Sequence, residues 1–259
     1  MTDVLYILGK GADIIDNLPL RWSLRSLEKH ASNVGRVVVA GNIPDWLSDE
    51  VVKIPIDDQE QSEDGKNRRI FSCLVRAVAE AGLLKPFLYS SDDHYFVRAA
   101  DLDSWPHYCH KDSLHTMKTF GDKYKRMPSM YELSLIKTRH LLEEENLPAS
   151  RRCCLHLNTW IDPVDVATAQ DIVNRHKTET KYGFEGHCIL GALYASRNPK
   201  TEWVEYDKDS KVQTTKDITQ KLRRRVPQFS TSPKVETDAK VVKKMNALFP
   251  EPCKYEKEA

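Results

Sequence analysis

Apolar and polar positions follow two rhythms along this chain. Val4-Leu5-Tyr6-Ile7-Leu8 is an unbroken apolar run ending at Gly9-Lys10-Gly11, the pattern of a buried strand feeding a loop. Val37-Val38-Val39-Ala40 stops at Gly41-Asn42, and Val51 to Ile56 follows a Pro44-Asp45-Trp46-Leu47 turn. Pro86-Phe87-Leu88-Tyr89 runs into Ser90-Ser91-Asp92-Asp93-His94. Between these runs the spacing turns helical. Pro19 opens a helix with Leu20, Leu24 and Leu27 on one face and Arg21, Arg25 and Lys29 beside them. Lys66-Asn67-Arg68-Arg69 starts another through Ile70, Leu74, Val75 and Val78, which Gly82 terminates. Asp57 to Asp64, acidic without a base, reads as a solvated loop. Short apolar strands joined by helical connections predict an α/β fold, a mostly parallel central sheet flanked by helices.

The second half reads as more helical. Ser129 to Glu145 is a long amphipathic helix, closed by Asn146-Leu147-Pro148. Cys153-Cys154-Leu155-His156-Leu157 has the look of a further strand. Asp162-Pro163 places an N-cap and a first-turn proline ahead of a helix through Val166 and Ile172. Phe184 to Ala195 reads as a small-residue helix packed on the core. Residues 199–233 are polar and read as irregular, and Val235 to Phe249 forms a closing helix before Pro250-Glu251-Pro252-Cys253. The expected organisation is one body over 1–198, a nucleotide-binding half to about 98 and an acceptor half from 99, with a C-terminal extension over 199–259. No internal repeat is present.

Composition narrows the classes. The chain has 259 residues, 40% hydrophobic and 30% charged, and a mean hydropathy of −0.56. No apolar stretch approaches the roughly 20 residues of a spanning helix. No basic segment followed by an apolar one opens the chain, so neither a membrane span nor Sec export is expected. Lysine and arginine number 39 against 38 acids, a net charge of +1. That balance excludes a dedicated polyanion coat and leaves room for a local basic cleft. The cysteines Cys73, Cys109, Cys153, Cys154, Cys188 and Cys253 form no C-x-x-C pair, which fits reduced thiols in a cytoplasmic protein.

Asp92-Asp93-His94 is the strongest chemical signal. Ligands of open α/β sheets bind beyond the carboxyl ends of the strands. Two carboxylates and an imidazole there suit Mg²⁺ or Mn²⁺ beside a diphosphate leaving group; the other reading is a solvated turn capped by Asp92. Gly9, Lys10 and Gly11 follow the first strand, where a loop contacts a nucleotide or simply turns. Lys66, Arg68 and Arg69 at a helix start offer charge and N–H groups to phosphate, or form a solvated helix end. Arg21 and Arg25 lie one turn apart, so one can face a cleft while the other stays wet. His156, on an apolar run, is either a core histidine or a general base. His107, Cys109 and His110 lack the second pair of a zinc finger. Cys153 beside His156 reads as a small buried hydrophobe rather than a nucleophile. The basic clusters are Lys118, Lys123, Lys125 and Arg126, then Lys221 with Arg223, Arg224 and Arg225. Phe120, Tyr124 and Tyr131 interleave aromatics with the first, so the clusters are solvated faces or a groove for a polyanionic acceptor.

Three segments in order resemble the Stealth-type sugar transferases, a family of capsular-polysaccharide phosphotransferases and relatives of lysosomal-enzyme GlcNAc-1-phosphotransferase. They are Asp16-Asn17 with Leu20-Arg21-Trp22-Ser23-Leu24-Arg25-Ser26-Leu27-Glu28-Lys29, then Ile43-Pro44-Asp45-Trp46-Leu47, then Ser91-Asp92-Asp93-His94-Tyr95-Phe96. The likeness covers residues 3–98. The remainder is similar to short glycosyltransferase-like proteins of bacteria and phages, through the His156 strand, the Phe184–Ala195 helix and the Phe229 to Tyr255 tail. Ser91 replaces the family's asparagine, and Asn158 stands where a proline commonly follows the family histidine.

The resemblance implies a GT-A-like nucleotide-sugar fold. It makes Asp92 and Asp93, with His94, metal or diphosphate residues and His156 an active-site residue. The donor is then expected to be a UDP-sugar, and the residue pattern offers Gly9, Lys10, Gly11, Arg21, Arg25, Lys66 and Arg69, with Asp92, to hold it. The acceptor is then a surface glycan or a hydroxylated DNA base in the host cytoplasm. Sugar-1-phosphate transfer and an inactive nucleotide-sugar or glycan-binding module are the alternatives.

Overall fold

The computed structural model describes residues 1–9, 17–56, 66–110, 114, 127–148, 157–178 with the backbone of 179–180, 183–206, 211–232, 235, 237–257. Its central sheet has five strands: Thr2–Leu8 (β1), Val34–Gly41 (β3), Val51–Pro55 (β4), Phe87–Ser90 (β5) and Thr159–Ile161 (β9). They lie in the order β4-β3-β1-β5-β9. The first four are mutually parallel and β9 runs antiparallel to β5. This is the mostly parallel α/β architecture that the sequence predicts.

Alternation along the strands builds two cores. Leu5, Val38, Ala40 and Ile54 face one side of the sheet, against Lys66–Glu80 (α2), Met130–Glu144 (α3), Pro163–Arg175 (α4) and Gly186–Arg197 (α6). A four-residue helix, Lys177–Thr180 (α5), separates α4 from α6. Val4, Tyr6, Leu8, Val37 and Val39 face the other side, against Leu18–His30 (α1). Each helix starts where its side chains allow. Asn17 Oδ1 accepts the Leu20 N–H ahead of α1, Ser129 and Glu132 form a capping box on α3, and Asp162 caps α4. Gly41 ends β3 at φ 104°, and any side chain there would strike the Leu8 carbonyl.

Three short strands, His94–Phe96 (β6), Lys211–Val212 (β11) and Gln228–Thr231 (β12), make a second sheet in the order β11-β12-β6. Ala31–Ser32 (β2) pairs with Ala100–Asp101 (β7), and His107–His110 (β8) with Trp203–Tyr206 (β10). Residues 199–233, expected to be irregular, therefore hold β10, β11, β12 and the helix Thr215–Arg223 (α7). The reason is chemical. All four residues of β12 are buried, yet only Phe229 is apolar, so hydrophobic periodicity is silent there. The strand expected at Cys153–Leu157 lies mostly outside the described residues, and the described strand begins at Thr159. The closing helix, Ala239–Leu248 (α8), starts later than expected because Asp238 Oδ1 accepts the Lys240 and Val241 N–H groups.

The C-terminal residues return to the first helix. Trp22 of α1 and Tyr95 of β6 join Val212, Ile218, Phe229, Val241, Met245 and Phe249 in a third core. Glu256, its side chain only 2% exposed, binds Arg21 Nη1 at 2.6 Å and Arg25 Nε at 2.6 Å. Arg21 also stacks over Trp46, 4.1 Å from the ring centre. Burial pushes the Glu256 carboxyl up, but the hydrogen bonds from Arg25 and Arg21 outweigh it and hold it below its ordinary value. A depressed carboxyl contributes stability that is present above its unfolded pKa and is lost as pH falls through the folded one. Among the described residues no helix is long and apolar enough to cross a membrane.

Breaking a buried ion cluster by removing one partner costs about 3 kcal/mol or more. Glu256→Ala is expected to lower the urea-derived stability by about 3 kcal/mol at pH 7, with a smaller loss at pH 3. Equal stability of variant and wild type at pH 7 would contradict the clamp.

Candidate functional site

The turn between β5 and β6 sits at the carboxyl edge of the central sheet. Tyr6 of β1 lies opposite Ser90 of β5, so β1 and β5 release their following residues side by side. The turn is short because the His94 N–H donates to the Ser91 carbonyl at 3.2 Å. It is anchored on both flanks. Ser23 Oγ of α1 donates to the His94 carbonyl at 2.6 Å, and Ser26 Oγ accepts the Phe96 N–H at 3.0 Å. From β12, the Thr231 N–H donates to the Asp93 carbonyl at 3.1 Å. These two serines lie in the apolar face of α1 because β6 needs hydrogen-bond partners there.

Asp92 and Asp93 therefore project together from a fixed turn. Their side chains keep some solvent contact, 25% for Asp93. Burial pushes Asp92 up to about 7, and the charge of Asp93 adds to the effect. Burial pushes Asp93 up to about 6 against the pull of Lys211 and Lys66. Among the described residues neither carboxylate forms an ion pair with lysine or arginine; Asp93 has only His94 Nε2, at 3.8 Å.

The His94 ring is set by a chain of amides. Gln228 Oε1 accepts the Asn158 N–H at 2.8 Å, which leaves Gln228 Nε2 to donate to Asn158 Oδ1 at 3.0 Å. Asn158 Oδ1 is thus an acceptor, and His94 Nδ1, 3.1 Å away, carries the hydrogen toward it. The Ser91 N–H, at 3.4 Å from the same nitrogen, is the longer contact and yields. His94 Nε2 then faces Asp93. Asn158 is the centre of this arrangement.

A second group of polar residues lies across Tyr89. The Tyr89 ring packs edge-on against His187 at 4.9 Å, and its hydroxyl feels the charges of Asp92, Asp93 and Glu185. Glu185 Oε1 is 3.4 Å from His187 Nδ1, and its Oε2 accepts from Asn67 Nδ2 at 3.4 Å. Glu185 and His187 were absent from the sequence-derived candidates. Their only signal is a Glu-Gly-His step at the mouth of the small-residue helix, and Gly186 is there because a Cβ would press on Phe71 at 3.1 Å. Lys211, from β11, is the other residue the sequence left unmarked.

The predicted residues scatter unevenly. Asp92, Asp93, His94 and Lys66 are brought together, and Arg69 lies against Gly9, where a Cβ would meet its Nη2 at 3.3 Å. Arg68 instead lines a groove with Val173 and Lys177 on the outer face of α2. Arg21 and Arg25 are engaged by Glu256. Arg223, Arg224 and Arg225 are exposed. They precede the Gln228 end of β12, which pairs with Phe96 rather than with His94. Lys10, Gly11, Lys118, Lys123, Lys125, Arg126, Cys153 and His156 lie outside the described residues. His107 stacks on Tyr194 at 4.9 Å instead of joining Cys109 and His110. Among the described residues no group of three or more His, Cys, Asp or Glu side chains is placed to hold a metal by itself. No protein-family model matches the chain, and no curated protein matches it.

A raised carboxyl reverses the usual pH dependence. Between pH about 4 and about 7 the folded chain holds the Asp92 proton that the unfolded chain has released, so this contribution to stability is full below about 4 and lost through about 7. In EDTA at pH 8, Asp92→Asn is expected to melt above wild type, and at pH 4 to melt with it. A variant that melts below wild type at pH 8 would contradict the burial of an uncompensated charge.

Proposed function

We propose that this chain is a glycosyltransferase that moves a sugar from a nucleotide sugar, a UDP-sugar, to a hydroxyl acceptor. The observation that carries the reading is a pair of adjacent, partly dry carboxylates at the carboxyl end of a central parallel strand, without a lysine or arginine ion pair among the described residues. Mg²⁺ keeps several waters and is bound through one or two carboxylates together with substrate phosphates, so two carboxylates without a third protein ligand suit it. The donor set thus fits a cation shared with a ligand and does not fit a resident structural metal.

Asp92 and Asp93 are the residues that would hold Mg²⁺ or Mn²⁺. Bound there, the cation supplies charge neutralisation for the diphosphate leaving group. The chain's own residues complete the site. Lys66 and Arg69, in the first turn of α2, offer donors to phosphate, reinforced by the N–H groups and dipole of that fifteen-residue helix. Lys211 approaches Asp93 from the other sheet. The GT-A-like fold and Stealth-type kinship belong to this reading, as does a cytoplasmic setting, which the buried free thiols of Cys73, Cys109, Cys188 and Cys253 suit. The acceptor is a surface glycan or a hydroxylated DNA base. Of the basic clusters, the exposed Arg223, Arg224 and Arg225 are described, and they are offered to a polyanionic acceptor.

The test is incubation with a panel of nucleotide sugars and Mn²⁺, with the released nucleotide identified. UDP release, abolished by EDTA and by Asp93→Asn, is expected. UMP release would instead assign sugar-1-phosphate transfer, and turnover unchanged in both Asp92→Asn and Asp93→Asn would overturn the mechanism. For a DNA acceptor, alanine at Arg223, Arg224 and Arg225 is expected to weaken DNA binding and to flatten its log–log salt slope by about 0.9 for each lost duplex phosphate contact. Binding indifferent to these three residues would contradict their role.

A further inference from the structure

We infer that His187, positioned by Glu185, is the base that takes the acceptor's proton; the inference rests on the transferase reading above. Four observations meet at the start of α6. Glu185 occupies the N-cap position yet caps none of the backbone N–H groups of its helix, so its carboxylate is left to side chains. That carboxylate is almost fully enclosed, 7% exposed, and its two oxygens divide between His187 Nδ1 and Asn67. Its backbone is fixed as well, since the Glu185 N–H donates to Thr138 Oγ1 of α3 at 2.8 Å. Finally, His187 Nε2 is shielded from water and has no hydrogen-bond partner among the described residues. Buried polar atoms without partners are rare and point to a missing ligand, water or ion.

A carboxylate at Nδ1 fixes the hydrogen on that nitrogen and leaves Nε2 as the basic atom. At 3.4 Å the two groups are in ion-pair range without a formed hydrogen bond, and catalytic contacts commonly tighten only when substrate binds. Tyr89 relates the two groups, since its ring packs on His187 while its hydroxyl feels the charges of Asp92 and Asp93. Of the other described histidines, His94 is held by Asn158, His107 stacks on Tyr194, His176 lies between Glu144 and Glu145, His30 packs on Phe249 and His140 faces Glu143, while His110 lies in β8. In a single displacement, the acceptor oxygen bonds to the anomeric carbon as the bond from that carbon to the diphosphate breaks. The electron pair leaves with the diphosphate, and the acceptor's proton passes to His187 Nε2. Glu185 is a positioning residue that stabilises the resulting imidazolium.

The experiment uses the full chain, UDP-glucose with water as acceptor, UDP binding in Mg²⁺, and ring-nitrogen NMR of His187. Wild type is expected to show the Nδ1–H tautomer, with Nε2 unprotonated. His187→Ala and His187→Gln are expected to lower kcat for UDP release at least 100-fold while UDP affinity stays within threefold. Glu185→Gln is expected to lower kcat about tenfold and to disturb the tautomer. If His187→Ala fails to fold, the Gln variant carries the kinetic arm and the wild-type tautomer the other. A His187 variant within threefold of wild-type kcat, an Nε2–H tautomer, or metal-dependent UDP binding without turnover would each overturn the base. Absence of metal-dependent UDP binding in wild type, by contrast, overturns the transferase reading itself.

Discussion

Two like charges held on neighbouring residues of a short turn are the constraint around which this structure is arranged. Water alone would solvate Asp92 and Asp93 cheaply on an exposed loop, but here burial raises both carboxyls well above their ordinary values. Such a turn is stable only if its backbone is held by something other than the carboxylates. Ser23 and Ser26 of α1 and the Thr231 amide of β12 do so, each satisfying a backbone group that the three-residue strand β6 cannot pair alone. The geometry of the acids is therefore set by α1 on one side and by the C-terminal chain on the other.

That dependence explains why residues 199–257 are packed as they are. Strand β12 supplies Gln228, which orients Asn158 and through it His94, and Lys211 on β11 supplies positive charge to Asp93. Glu256 then closes the chain onto Arg21 and Arg25, one and two turns along the helix that carries Ser23 and Ser26. The arginines thereby fix the helix that fixes the turn, a role at one remove from phosphate.

Much of this was legible in the sequence, and the exceptions share a cause. Unbroken apolar runs ending in glycine or polar turns located β1, β3, β4 and β5, because strands buried on both faces leave that trace. The Ser90-Ser91-Asp92-Asp93-His94 step located the turn. Strand β12 was invisible because three of its four buried side chains are the polar Gln228, Ser230 and Thr231, and the hydrogen bonds of Gln228 and Thr231 leave no mark in the periodicity. Glu185 and His187 escaped notice because their proximity to Asp92 arises from α6 meeting α2 at Gly186, a tertiary contact. Arg21 and Arg25 read as cleft residues because a cation facing a phosphate and one facing a distant glutamate look alike in one dimension.

The most direct measurement is anomalous diffraction at the manganese edge from crystals grown with Mn²⁺ and UDP. A single strong peak between the Asp92 and Asp93 carboxylates, with the UDP diphosphate oxygens completing its coordination and the α2 N-terminus facing them, is the expected result. A manganese peak bound elsewhere, or UDP bound at the sheet edge without manganese at these carboxylates, would contradict the account.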